Sequence, residues 1–364
     1  MSRLHDLYNE QGQSPWLDNL RRGWITSGEL DKWVERGVRG LTSNPSIFQK
    51  AMSDTDAYDT ELRSLVDAGA SIVDSYWSLV TTDIEGALAA LRPVYDSSDG
   101  LDGYVSVEVS PELAHDTDGT IAAAKELDTR IDEPNLYIKI PGTEAGIPAI
   151  EAATAAGISV NVTLLFSVER HQAIAEAYLR GLEKREGDLS TISSVASFFI
   201  SRVDTEVDQA LTTIGTDAAL ALRGKAAIAQ ARLAYALFTD LFSGSRWEAL
   251  AARGARLQRP LWASTSTKNP EYSDTLYVDE LIGPNSVNTL PDGTLANFED
   301  HGTVARTIDL DVDAARKVID DVAEVGVDLA AIARKLEDAG VAGFSKSFDE
   351  LLGTLGDRAE TLAG

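Results

Sequence analysis

Short apolar runs alternate along this chain with longer stretches in which apolar residues recur every three or four positions. The first pattern is that of a strand buried on both faces, the second that of an amphipathic helix. Runs 16–20, 38–42, 104–109, 136–140, 158–163, 192–199, 261–264 and 287–289 read as strands. Stretches 46–51, 74–91, 120–127, 146–156, 167–184, 203–213, 220–242 and 269–281 read as helices between them. Strands and helices in this alternation predict an α/β fold, a (β/α)8 TIM barrel. No dinucleotide-binding glycine fingerprint follows the first strand, which weakens the doubly wound alternative. The tail 312–363 is mostly helical, with stripes such as Val318, Val322 and Val325. We therefore expect residues 1–364 to form a single barrel domain, with about 310–364 as a helical tail packed on it. No proline- or glycine-rich linker, repeat or low-complexity block interrupts the chain.

Composition narrows the classes. At 364 residues, 44% apolar and 25% charged, the chain has the make-up of a folded soluble protein. It contains no cysteine, so disulfides and thiolate chemistry are excluded. No run of about 18 apolar residues exists to span a membrane, and the start M-S-R-L-H-D-L-Y lacks a signal-peptide core. These features lead us to expect a cytoplasmic protein. The net charge of −26 argues against nucleic acid and anionic membranes as partners. A small anion would bind only where individual arginines or lysines converge.

The most informative residue is Lys139, inside N-L-Y-I-K-I-P at 135–141. Burial disfavours the ammonium form, and a neutral, desolvated amine condenses with carbonyls to give a Schiff base. A lysine in such a run is equally a structural one, paired with a carboxylate or reaching out at a strand end. Its company changes the balance. A barrel carries its reactive groups at the C-terminal ends of its strands. Asp18 lies in the first predicted strand, Asn44 just after the second, and Glu108 near the end of the third. Asn161 and Thr163 face one side of the fifth, two residues apart. Ser197, Phe199 and Arg202 follow on the sixth, and Ser264, Ser266 and Lys268 after the seventh. Singly, each has an ordinary explanation. Asp18 and Asn44 suit helix caps or turns, Glu108 and Lys139 a buried ion pair, Thr163 a strand, and Arg202 with Asp204 a surface pair. Polar groups on seven successive strands are harder to explain by packing.

Other patterns carry nothing. Asn161-Val162-Thr163 fits a glycosylation sequon but sits in a buried strand, and 142–146 is a glycine-containing loop without a phosphate-loop pattern. His5, His115, His171 and His301 are scattered, so no metal is expected.

With these residues in hand, the chain resembles a transaldolase. The resemblance is carried by G-L-T-S-N-P-S-I-F (40–48), Y-I-K-I-P-G-T (137–143), I-S-V-N-V-T-L-L-F-S (158–167), S-V-A-S-F-F-I-S-R-V-D (194–204) and W-A-S-T-S-T-K-N-P (262–270). It covers most of 14–300, and the last motif is similar to a long bacterial branch found in actinobacteria and cyanobacteria. It implies a barrel without cofactor or metal that moves a dihydroxyacetone unit between sugar phosphates in the non-oxidative pentose phosphate pathway. The donor–acceptor pairs are fructose 6-phosphate with erythrose 4-phosphate and sedoheptulose 7-phosphate with glyceraldehyde 3-phosphate. Lys139 then matches the Schiff-base lysine, Asp18 the base for the donor's C4 hydroxyl, and Glu108 with Thr163 the pair holding a catalytic water. Asn44, Asn161 and Ser197 match groups on the dihydroxyacetone hydroxyls, and Arg202 a phosphate-binding arginine. Shorter members carry a second such arginine after the seventh strand. Here 264–268 has none, and Lys268 stands in as a point charge, with Ser264 and Ser266 beside it.

Two alternatives stay open. A fructose 6-phosphate aldolase on the same scaffold releases free dihydroxyacetone, but that relative typically has Gln and Tyr where this chain has Glu108 and Phe199. A barrel that only binds, having lost its chemistry, is opposed by the Asp18, Glu108 and Lys139 set. Either a monomer or a homodimer is compatible with the sequence.

Overall fold

The computed structural model of the chain describes residues 2–53 and 55–363. Eight parallel strands close into a barrel in sequence order. They are β1 (Gln13–Leu17), β2 (Leu41–Thr42), β3 (Val105–Glu108), β4 (Leu136–Pro141), β5 (Val160–Leu165), β6 (Ser194–Phe199), β7 (Gln258–Ala263) and β8 (Ser286–Leu290), with β8 pairing back to β1. Helices cover the outside, so the expected (β/α)8 architecture is the one observed. Apolar side chains such as Leu17, Ile138, Ile140, Val162 and Leu165 are buried around the strands.

The lower interior of the barrel is polar and cross-linked by hydrogen bonds. Gln13 donates to Ser286 at 2.9 Å, Gln258 to Ser194 at 2.9 Å, and Ser14 to Asp102 at 2.8 Å. Arg259 closes this layer as an ion pair with Asp102 at 3.0 Å. These bonds explain why β1 occupies Gln13–Leu17 rather than the expected 16–20. Its first two residues are polar but buried inside the barrel, where an apolar criterion does not look for them. Asp18 therefore stands one residue beyond the strand, at its C-terminal end.

Helix boundaries differ in places. The stretch expected as helix 269–281 is helical only at Leu276–Asp279, and begins as a turn held by Asn269, which accepts from Glu271 N at 3.0 Å. Within 220–242 only Ala226–Leu241 forms a continuous helix, preceded by a turn at 221–225 and the short helix Asp217–Leu220. Short helices at Arg3–Gln11, Glu29–Arg36, Asp59–Asp67, Gly244–Ala251 and Asp292–His301 were not among those expected.

One close approach depends on glycine. A Cβ at Gly40, which leads into β2, would lie 2.3 Å from the buried Trp16 ring, so only glycine lets β2 pass β1 there.

The last two helices end the chain. Val312–Glu324 lies against Ala226–Leu241. The 35-residue helix Leu329–Ala363 crosses from β5 to Pro45–Ser53, Asp59–Asp67 and Ile72–Ser97. It therefore runs over the C-terminal end of the barrel, above β2 to β5.

Candidate active site

The strand register places the central residues in one layer. Glu108 on β3 pairs with Lys139 on β4, and Lys139 with Asn161 on β5. Neighbouring residues in parallel strands point the same way, so all three side chains project together. Thr163 lies one step higher, opposite Pro141. Beyond it β5 bulges: its register shifts between Val162 and Leu165, and Leu164 takes φ +63°. A bulge at a barrel rim re-aims the residues on either side.

Lys139 is buried, with Nζ 3.1 Å from Glu108 Oε2 and 3.1 Å from the carbonyl of Ser43, to which it donates. Burial pushes the Glu108 carboxyl above the ordinary carboxylate range, and the charge of Lys139 opposes this without cancelling it. Neither carboxylate oxygen of Glu108 accepts a well-aligned hydrogen bond, and Thr163 Oγ1 is likewise buried without a partner among the described residues. Buried polar atoms are rarely left so in a resting protein, and such positions suit an ordered water.

Asp18 accepts from Thr42 at 2.8 Å. Part of its surface opens into the cavity, but protein surrounds it. Burial pushes its carboxyl upward, against Lys139, the Thr42 hydroxyl, Arg202 and Lys268. It caps no helix. Asn44 does cap one: its Oδ1 accepts from Ile47 N at 2.9 Å at the start of Pro45–Ser53. Asn161 is fully buried, donating to Ser106 at 2.9 Å and accepting from Ser197 at 2.7 Å. It sits beneath Ser197 as part of the floor.

These side chains surround a cavity of about 160 Å³. Asp18, Asn44, Lys139, Thr163, Ser197, Phe199, Arg202, Ser264, Ser266 and Lys268 all line it, while Glu108 and Asn161 lie just below. Arg202 sits over the Phe199 ring, its guanidinium carbon 5.1 Å from the centroid. Neither Arg202 nor Lys268 has a carboxylate partner in an ion pair among the described residues. Asp204 forms no surface pair with Arg202: it is buried and accepts from Ala227 N at 2.8 Å and Tyr277 at 2.9 Å. Ser264 holds φ +56°, fixed by its carbonyl accepting from Ser201 N at 3.0 Å. A non-glycine residue in that region costs about 1–3 kcal/mol, a strain that tends to accumulate at working sites.

Some lining residues were not singled out from the sequence. Thr42 and Thr289 face the cavity from β2 and β8, and Pro291 follows β8. Phe344 comes from the C-terminal helix, its ring centroid 5.7 Å from Lys139 Nζ. The threonines stand at strand ends, where the same search would reach them. Nothing local to Phe344 marks it. No group of acidic and histidine residues suited to a metal exists among the described residues. No helix is long and apolar enough to cross a membrane among them either.

A buried amine facing an under-bonded carboxylate, with a second carboxylate and two free cations around a small cavity, can form and hydrolyse an imine. It can also move a proton on a bound anionic carbonyl compound. Comparison with known proteins gives the same direction. Residues 15–355 match the model of the Transaldolase/Fructose-6-phosphate aldolase family. The chain is 52% identical to a transaldolase of Thermobifida fusca, over 94% of this chain and 95% of that protein. It is 53% identical to a transaldolase of Mycolicibacterium smegmatis, covering 94% and 93%. A protein of Streptomyces avermitilis named Transaldolase 1 is 48% identical, covering 94% and 92%.

Proposed function

Because this chain belongs to the transaldolase/fructose-6-phosphate aldolase family, we propose that it is a cytoplasmic transaldolase carrying a dihydroxyacetone unit between sugar phosphates on Lys139. Fructose 6-phosphate and sedoheptulose 7-phosphate are the donors, and glyceraldehyde 3-phosphate and erythrose 4-phosphate the acceptors. The observation that carries the residue assignment is the buried Lys139–Glu108 contact at 3.1 Å, at the foot of a cavity rimmed by Arg202 and Lys268.

The cycle follows from the chemistry of these groups. Lys139 Nζ adds to the donor's C2 carbonyl. A water held between Glu108 and Thr163 carries the protons that turn the carbinolamine into a protonated imine, with loss of water. Their lack of other partners supports that role. The Asp18 carboxylate takes the proton of the C4 hydroxyl, the C3–C4 bond breaks, and the electron pair passes into the imine as an enamine. The aldose phosphate leaves. C3 of the enamine then attacks the acceptor aldehyde, and Asp18 returns its proton to the new C4 oxygen. Hydrolysis frees the product ketose. A carboxyl raised by burial suits a group that must take and then give back one proton. Arg202 and Lys268 hold phosphates, whose binding positions the reacting carbons. Asn44 and Ser197 bond the dihydroxyacetone hydroxyls, with Asn161 orienting Ser197 from below.

Purified protein given fructose 6-phosphate and erythrose 4-phosphate should form sedoheptulose 7-phosphate and glyceraldehyde 3-phosphate in equal amounts. Free dihydroxyacetone accumulating as fast as fructose 6-phosphate disappears would make the chain an aldolase. No turnover of any donor would leave a barrel that only binds.

A further inference from the structure

We propose that Phe344, on the C-terminal helix, is a specificity-determining residue: its ring excludes solvent from the Lys139-bound enamine and so keeps the three-carbon unit for transfer. The inference rests on the imine at Lys139 and adds to it a role for a part of the chain far from the strand-end motifs.

The ring is buried, lines the cavity and faces the amine with its centroid 5.7 Å from Nζ. Its position is held along the whole helix. One turn earlier, Gly340 lies so close to the β5 bulge that a Cβ there would be 2.8 Å from Leu164. Ser347 is 2.7 Å from Ser46 between hydroxyl oxygens, at the start of the helix that Asn44 caps. Phe348 meets Tyr76 edge-on at 5.1 Å. Farther along, Arg358 donates to the Met52 carbonyl at 2.8 Å and pairs with Asp59 at 2.8 Å. The helix thus spans from β5 to the loops after β2, and Phe344 is the side chain it sets into the cavity.

Release of the three-carbon unit has a defined chemistry. A proton must reach C3 of the enamine, giving the imine of dihydroxyacetone. Water then adds to C2, its proton passing to Glu108. Finally the carbinolamine oxygen loses its proton as the C–N bond breaks and the lysine nitrogen takes one up. The last steps also serve the productive cycle, so retention depends on the first. With an acceptor bound, the proton that Asp18 holds after cleavage goes to the acceptor's oxygen; without one it can pass to C3, and a water between the two would relay it. Apart from the water placed between Glu108 and Thr163, the apolar ring beside the amine keeps such a relay water out. Removing the ring opens a space next to Lys139, bordered by polar groups, which water can fill.

The test compares Phe344→Ala, Phe344→Val and Phe344→Leu with the unsubstituted protein, in D2O, with fructose 6-phosphate and no aldehyde acceptor. Free dihydroxyacetone and its deuterium content are read by NMR. Borohydride trapping on Lys139 is measured in parallel. Volume, not aromatic character, is what excludes water, so release should fall in the order Ala, Val, Leu. Ala should exceed the unsubstituted protein by about tenfold or more, and Leu should stay close to it. The extra product should carry deuterium on one hydroxymethyl carbon. Should the Ala variant not fold, the Val variant carries the same comparison with a smaller rise. Trapping with no rise in release across the series overturns the inference, as does a Leu variant that releases like Ala. Absence of trapping in the unsubstituted protein would instead overturn the imine on Lys139.

Discussion

Lys139 illustrates how one side chain can be costly to the fold and useful to the chemistry. A buried ammonium needs a partner, and Glu108 at 3.1 Å supplies it. Removing one member of such a pair typically costs about 3–5 kcal/mol, because the other is left buried alone. Both members are therefore held in place by stability as well as by the function proposed for them. The cations at the rim differ, since no carboxylate among the described residues pairs with them. Arg202 is partly enclosed and Lys268 exposed. Arg202→Ala should remove a charge-assisted contact worth about 1.5–3 kcal/mol. That corresponds to roughly a ten- to hundredfold loss in kcat/KM for phosphorylated donors. Turnover of dihydroxyacetone as an unphosphorylated donor should hardly change. Lys268→Ala should act in the same direction but less, since water screens an exposed charge. Equal losses with and without the phosphate group would remove the phosphate role from whichever residue shows them. Most of this residue set was legible because each member stands at or next to a strand end within a short motif. Thr42 was not among them, although it ends the second predicted strand two residues before Asn44.

Among the elements, the C-terminal helix Leu329–Ala363 is where sequence and site part most. Its period identifies it as helical, but not what it covers. Phe344 reaches Lys139 across some two hundred residues of chain, and local patterning is blind to such a contact. The first strand was misplaced for another reason: Gln13 and Ser14 are buried through hydrogen bonds rather than apolar character. The expected helix 269–281 failed because Asn269 and Ser273 bond the local backbone and favour turns. Two glycines of the long helix distinguish docking from propensity. Around Gly353 nothing lies within 4 Å of an added Cβ, so Gly353→Ala should stabilise the protein by about 0.5–1 kcal/mol. At Gly340 a Cβ meets Leu164 at 2.8 Å, so Gly340→Val should destabilise the fold and lower transfer activity. Denaturant unfolding and the transfer assay measure both. A Gly340→Val protein as stable and as active as the unsubstituted one would mean that the helix is not seated on the β5 bulge.

At the scale of the molecule, a net charge of −26 surrounds a site proposed to take dianionic sugar phosphates. The two facts are compatible because surface charge is screened over about 8 Å at physiological salt. The phosphate contacts proposed for Arg202 and Lys268 act at short range, where both residues line the cavity. The barrel's lower layer is closed by Arg259 and Asp102, and the C-terminal helix covers one side of the cavity. All of this surrounds the single covalent intermediate proposed on Lys139, and that intermediate is the claim to test first. Borohydride added to the protein with fructose 6-phosphate should fix a reduced sugar adduct to the peptide containing Lys139, abolish transfer, and leave Lys139→Ala unlabelled and inactive. An adduct on a different lysine, or near-normal transfer by Lys139→Ala, would contradict it.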